Sequence, residues 1–143
     1  MQTSHLKTLY TTTAVATGDG RNGHVSSLDG HLDTPVRTPK ELGGTGEATN
    51  PEQLFAAGYA ACFHSALKLV AAKSGADTSD SEVVADVSLG ALQSGGFGLA
   101  AQIEVLLPAL DRETAEALVA QAHQVCPYSN ATRGNIEVTL AVA

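Results

Sequence analysis

No tryptophan, one methionine, two cysteines and an aromatic content of 4% leave this 143-residue chain short of the side chains that fill cores and build metal sites. Much of its core must come from Ala, Val and Leu. Two cysteines without clustered histidines do not close a tetrahedral zinc site, and Cys62 and Cys126 stand too far apart to form a C-x-x-C redox motif. Positive charge is scarce as well. The eight Lys and Arg are scattered against 15 Asp and Glu, for a net charge of −7, which opposes nucleic-acid phosphates and anionic membrane surfaces. Also missing is an apolar run of the ~18 residues that a spanning helix needs. The uncharged stretch from Leu54 to Leu67 is shorter and carries His64 and Ser65, so it reads as a buried core helix. Met1 to Thr17 has no basic n-region, apolar h-region or cleavage site. The expectation is a soluble cytoplasmic protein that engages neither nucleic acid nor membrane and keeps its thiols reduced. Its length predicts a single domain, residues 1–143.

What is present reads as α+β. From His5 to Val36 the chain is rich in Thr and Val, broken at Gly18-Asp19-Gly20-Arg21-Asn22-Gly23 and at Asp29-Gly30, which predicts a three-stranded meander. Thr38 to Asn50 is a long glycine-rich loop. Its Gly43-Gly44-Thr45-Gly46 lacks both the Gly-Lys-Ser/Thr ending and the G-x-G-x-x-G pattern of phosphate-binding loops. Asn50-Pro51-Glu52-Gln53 then announces a helix that runs to about Lys73, with Gly75 beyond its end. Phe55, Gly58, Tyr59, Cys62, Ala66, Leu69 and Val70 share one face, while Leu54, Ala57, Ala61 and Ala72 cover much of the rest. A helix apolar nearly all round must be covered on most sides, and one small sheet covers one side, so a second copy of the chain is expected on the other. Glu82 to Leu92 and Leu99 to Leu107 alternate as two strands, Asp111 caps a second helix that Pro127 stops, and Ile136 to Val142 alternate as a last strand. The predicted order is βββ-α-ββ-α-β.

The two thiols are either inert buried residues or a redox pair. An unperturbed thiol is only a few per cent ionised at pH 7 and an apolar face lowers that further, so a reactive Cys62 requires a cation. Lys68 and Lys73 lie on the same helix at angles of roughly 120° and 20° and rises of ~9 and ~16 Å, out of direct reach. Arg112 belongs to the solvated start of the second helix and Lys7 to the terminus. Arg21, Arg37, Lys40 and Arg133 remain. His64, two residues from Cys62, points to nearly the opposite side of the helix, so no thiol–imidazole dyad forms there. His123 and Cys126 share a face and permit a weak contact, though a polar residue at a fraying helix end is the plainer reading. Cys126 at a helix C-terminus faces a dipole that disfavours negative charge, which makes it the worse nucleophile and the better resolving thiol.

Three segments carry a resemblance: Thr38-Pro39-Lys40-Glu41-Leu42-Gly43-Gly44, Thr49-Asn50-Pro51-Glu52-Gln53-Leu54-Phe55-Ala56-Ala57-Gly58-Tyr59 with Ala61-Cys62-Phe63, and Val125-Cys126-Pro127-Tyr128-Ser129-Asn130-Ala131-Thr132-Arg133-Gly134-Asn135. Together with the Gly20-Arg21-Asn22-Gly23 turn they closely resemble the organic hydroperoxide resistance proteins, the Ohr branch of the Ohr/OsmC family. The resemblance implies an OsmC-like fold, an intertwined homodimer with a long central helix packed against antiparallel sheet. It implies a peroxidatic role for Cys62, a resolving role for Cys126, thiolate stabilisation by Arg21, and orientation of that arginine by Glu52. It further implies reduction of alkyl, aryl or fatty-acid hydroperoxides to alcohols as part of the oxidative stress response. The cycle passes through a Cys62 sulfenic acid and a Cys62–Cys126 disulfide, which a dihydrolipoyl group, free or on a lipoylated protein, reduces. No bound cofactor and no metal are implied. Phe55, Tyr59, Phe63, Phe97 and Tyr128 are candidates to line a pocket for an acyl or aryl tail, set against plain core packing for each. An OsmC-type peroxidase of broader peroxide use and a non-catalytic dimeric binder of hydrophobic molecules are the alternatives.

Overall fold

Short β-prone runs separated by glycine turns build the first unit of the structure, a computed structural model that describes residues 5–143. Strands β1 (Ala14–Thr17), β2 (His24–Ser27) and β3 (Asp33–Pro35) form an antiparallel meander in that order, as the turn spacing predicts. Between β1 and β2 the chain makes a one-turn 3-10 helix, Gly20–Asn22, which carries Arg21. That turn closes tightly: a Cβ on Gly23 would stand 2.1 Å from the Thr17 carbonyl oxygen, so only glycine fits. The Arg37 guanidinium donates to the carbonyls of Gly23 (3.0 Å) and Val36 (2.7 Å) and secures the same corner. The glycine-rich loop also packs closely on itself, for a Cβ on Gly44 would lie 2.1 Å from the Thr38 carbonyl oxygen. This unit ends at Pro51, and the second comprises Glu52–Ala143.

The second unit is built on helix α1 (Pro51–Ser74), followed by β4 (Glu82–Ala91), β5 (Phe97–Leu106), α2 (Arg112–Val125), α3 (Pro127–Thr132) and β6 (Val138–Val142). Helix α1 begins at the proline and ends before Gly75 in the left-handed region at φ 69°, close to the predicted limits. Its inward face is Tyr59, Phe63, Ala66, Leu67, Val70 and Ala71. The predicted face is thus turned: Phe63 and Leu67 are buried, whereas Leu69 is 55% exposed. An almost uniformly apolar helix gives periodicity little to fix its phase. At 24 residues α1 is also, by length and composition, long and apolar enough to cross a bilayer, which corrects the expectation drawn from the shorter uncharged run. Its inward side chains instead join Ile103 and Val105 of β5 and Leu118, Val119 and Ala122 of α2 in one core cluster. Each large side chain buried there contributes about 1.5–3 kcal/mol.

The second sheet has the order β4-β5-β6, with β4 and β5 antiparallel. Strand β6 pairs with β5 in parallel, Ile103 opposite Leu140, so the sheet is mixed and not wholly antiparallel as expected. The reason is the connection: a crossover containing α2 and α3 is long enough to return the chain in the same direction, which a hairpin cannot do. Helix α2 is capped as predicted, the Asp111 carboxylate accepting from the Thr114 N–H at 3.2 Å. Helix α3 is an addition to the predicted order. Pro127 ends α2, and its fixed φ and missing N–H also suit the first position of a new helix.

Candidate active site

The break between α2 and α3 places Cys126 at once as the C-cap of α2 and the N-cap of α3. Its sulfur is fully buried and accepts a hydrogen bond from the Ser129 N–H at 3.4 Å. The dipole argument from the end of α2 is therefore incomplete, because the same sulfur also faces donor groups in the first turn of α3. Cys62, half-buried on α1, interacts with it electrostatically, and the Tyr128 backbone N–H also acts on the Cys62 sulfur. Successive amides, those of Tyr128 and Ser129, thus attend the two sulfurs. Both cysteines are free thiols.

The Cys62 thiol is pushed above its ordinary value, chiefly by burial; the Tyr128 N–H lowers it, and the neighbouring Cys126 raises it again. This direction is opposite to that expected of a cation-activated thiolate. Burial and a second thiol outweigh one amide donor, since both disfavour the charged form. Of the four cations left open by the sequence, Arg37 is tied to the carbonyls at Gly23 and Val36, and Arg133 to the His123 carbonyl oxygen (2.9 Å) and the Asn130 side-chain oxygen. Arg21 stands in the turn of the first unit and Glu52 in the first turn of α1, where a carboxylate suits the helix dipole.

Tyr128 lies over α1 where Gly58 leaves room for it. A Cβ on Gly58 would stand 2.8 Å from the Tyr128 hydroxyl oxygen and 3.2 Å from its ring carbon. The ring makes edge contacts with Phe55 at 6.0 Å between centroids and a tilted contact with Tyr59 at 5.7 Å. Beside this aromatic group opens an apolar cleft of about 450 Å³, lined by Phe55, Leu99, Pro127, Tyr128, Thr132 and Ile136 among others. Two of the five aromatic residues proposed for a tail pocket, Phe55 and Tyr128, line it, and Tyr59 is buried against both rings. Phe63 is not a pocket wall, because it faces the core with no exposure, and Phe97 is 78% exposed at the start of β5, outside the cleft.

Sequence reasoning missed a polar cluster behind the thiols. The Tyr59 hydroxyl bonds to Ser129 Oγ at 2.8 Å and to Thr132 Oγ1 at 3.2 Å, and His123 Nδ1 bonds to the same Ser129 Oγ at 2.8 Å. His123 therefore reaches the Cys126 elbow through Ser129 and not by a thiol–imidazole bond. A signal was present: a tyrosine on the apolar face of a core helix requires a partner for its hydroxyl. His64 has no part in the site and bonds to Ser81 Oγ at 2.9 Å. Among the described residues no group of three or more His, Cys, Asp or Glu could hold a metal ion.

Two adjacent thiols, one half-buried on a long core helix and one sealed at a helix break, define a cysteine-pair protein of the α+β class with two sheets. The model of the family described as OsmC-like protein matches residues 44–141. An organic hydroperoxide resistance protein of Xanthomonas axonopodis pv. citri (strain 306) is 54% identical over 139 residues, 96% of each chain. Organic hydroperoxide resistance protein OhrB of Bacillus subtilis (strain 168) is 50% identical over 135 residues, 92% of this chain and 96% of its own. A crystal structure of an organic hydroperoxide resistance protein from Elizabethkingia anophelis, with crystallant-derived thiocyanate bound, superposes with a TM-score of 0.92 at 54% identity, covering 96% of this chain and 99% of that one. The chain belongs to the OsmC-like family, among its organic hydroperoxide resistance proteins.

Proposed function

We propose that this protein confers peroxide resistance as a cysteine-based organic hydroperoxide reductase. The observation that carries the reading is the unequal pair of interacting thiols: Cys62 is half-buried on α1 and Cys126 is sealed from solvent. A peroxide reaches the first and not the second. The Cys62 thiolate attacks one oxygen of the hydroperoxide, an S–O bond forms as the O–O bond breaks, and the departing alkoxide takes a proton to become the alcohol. Cys62 is left as a sulfenic acid. The Cys126 thiol then displaces the hydroxyl as water and forms the Cys62–Cys126 disulfide. An external dithiol, a dihydrolipoyl group in this reading, reduces it through a mixed disulfide. The apolar cleft beside Tyr128 suits an alkyl or aryl tail.

Because burial raises the Cys62 thiol, attack requires a cation at the sulfur, and Arg21 oriented by Glu52 is the pair proposed for it. A homodimer belongs to the same reading. Leu69, Ala61 and Ala72 are exposed on the outward side of α1, next to Ser65 and Lys68, and a second copy would cover them. The reaction cycle requires a compartment that keeps thiols reduced, which is the cytoplasm.

Thiol counting after one equivalent of cumene hydroperoxide tests the proposal. Wild type is expected to lose both thiols rapidly, Cys126→Ser to lose one and stop at sulfenic acid, and Cys62→Ser to consume no peroxide. Retention of both wild-type thiols would leave a non-catalytic hydrophobic-ligand binder, and comparable rates with hydrogen peroxide would favour the broader OsmC-type peroxidase.

A further inference from the structure

We infer that Ser129 is a positioning residue for the disulfide-forming step, an inference that rests on the peroxidase reading above. Its side chain is fully buried, and its one hydroxyl joins three helices. Tyr59 Oη on α1 and His123 Nδ1 on α2 each lie 2.8 Å from Ser129 Oγ, which belongs to α3. Thr132 Oγ1 supports the same group, 3.2 Å from Tyr59 Oη and donating to the Ser129 carbonyl at 3.3 Å. Meanwhile the Ser129 N–H holds the Cys126 sulfur at 3.4 Å.

The hydroxyl is not needed for that last bond, because any residue at 129 except proline supplies an N–H. What the hydroxyl adds is distance control. Tyr59 stands one helical turn before Cys62 on α1, so its side chain and the peroxidatic sulfur belong to neighbouring parts of one rigid element. Ser129 therefore ties the element carrying Cys62 to the elbow carrying Cys126. The two chemical steps depend on that tie unequally. Oxidation of Cys62 involves its own sulfur, the proposed activating cation and the peroxide, and makes no demand on where the Cys126 sulfur stands. In the second step the Cys126 sulfur must approach in line with the S–O bond of the sulfenic acid: the S–S bond forms, the S–O bond breaks, and the Cys126 proton leaves with the hydroxyl as water. A misplacement of about 1 Å in such a step costs up to ~100-fold in rate.

The experiment separates the steps by rapid mixing of the reduced protein with one equivalent of cumene hydroperoxide, with dimedone trapping of sulfenic acid and mass analysis of the disulfide. In Ser129→Ala the first oxidation is expected within about twofold of wild type and disulfide formation slower by about tenfold or more. Under excess peroxide the stalled sulfenic acid then passes to sulfinic acid. His123→Ala, at a half-exposed position, removes one of the two anchors and is expected to slow the same step by a smaller factor. A general loosening of the fold would slow both steps in parallel, and that outcome overturns the inference. So does a wild-type rate of disulfide formation in Ser129→Ala. If Ser129→Ala does not fold, the same two outcomes in His123→Ala decide. A wild-type protein that loses no thiol refutes the peroxidase reading itself and this inference with it.

Discussion

Replacing Gly58 by alanine sets two effects of opposite sign against each other on α1. Glycine inside a helix is less favourable than alanine by about 1 kcal/mol, so on propensity alone Gly58→Ala stabilises the protein. The new methyl group, however, would stand 2.8 Å from the Tyr128 hydroxyl oxygen and 3.2–3.3 Å from two of its ring carbons. The ring has to give way, and at 38% exposure it can swing outward into solvent. It then forfeits its contacts with Phe55 at 6.0 Å and Tyr59 at 5.7 Å, each worth about 0.5–1.5 kcal/mol. The sum is a change between about neutral and 2 kcal/mol destabilising. In a Tyr128→Ala background nothing occupies the space, and Gly58→Ala is expected to stabilise by its full ~1 kcal/mol. The double-mutant cycle therefore carries a coupling of about 1–3 kcal/mol. Urea unfolding of the reduced protein at fixed concentration measures it, followed by far-UV circular dichroism because the chain has no tryptophan. Equal stabilisation by Gly58→Ala in both backgrounds would refute the claim that Tyr128 is seated on this glycine.

Arg21→Ala is expected to raise the pH midpoint of iodoacetamide labelling at Cys62, because burial already pushes that thiol up and the proposed cation opposes it; an unchanged midpoint rules Arg21 out as the activator. His64 and His123 are both held below the ordinary 6.5, first by burial and then by Lys68 and Arg133 respectively. The unfolded chain thus takes up protons that the folded chain resists, so the stability these residues contribute is complete above about pH 6.5 and falls as pH drops below it. Urea midpoints compared at pH 7 and 5 for His64→Gln and His123→Gln should show a shallower decline than wild type, and an unaltered decline in both would show that the slope arises elsewhere.

Where local chemistry decides, the sequence was readable. The turn at Gly18–Gly23, the proline start and glycine end of α1, and the Asp111 cap of α2 each depend on residues within one turn of the feature itself, and each lies close to where the spacing predicts it. The phase of α1 was not readable in the same way. Tyr59, Phe63, Ala66 and Val70 are spaced as one helical face, but so are Phe55, Cys62, Ala66 and Leu69, and with little polarity to break the tie both stripes satisfy the pattern. The choice was made by contact with β5 and α2, which lie far along the chain. Of the two roles open to Phe63, pocket wall or core packing, the structure has the second, and the helix explains it: a residue that follows Cys62 in sequence turns its side chain about 100° away. The parallel pairing of β6 with β5 was likewise a tertiary matter, since alternation identifies a strand and says nothing of its direction.

Cys126, the proposed resolving thiol, shows how a correct local reading can lead to an incomplete chemical one. Pro127 does end α2, and the C-terminal end of a helix does disfavour a negative charge. The same proline opens α3, whose first turn offers the Ser129 N–H to the Cys126 sulfur. One residue thus reverses the electrostatic setting of its neighbour by starting a second element where it stops the first. Cys126 is left sealed from solvent, beside Cys62 and hydrogen-bonded at its sulfur, with its elbow fixed by a serine hydroxyl that Tyr59 and His123 share. The resolving role proposed for it rests on access and placement: its sulfur is sealed from solvent, and it interacts with the Cys62 thiol on which the proposed sulfenic acid would form.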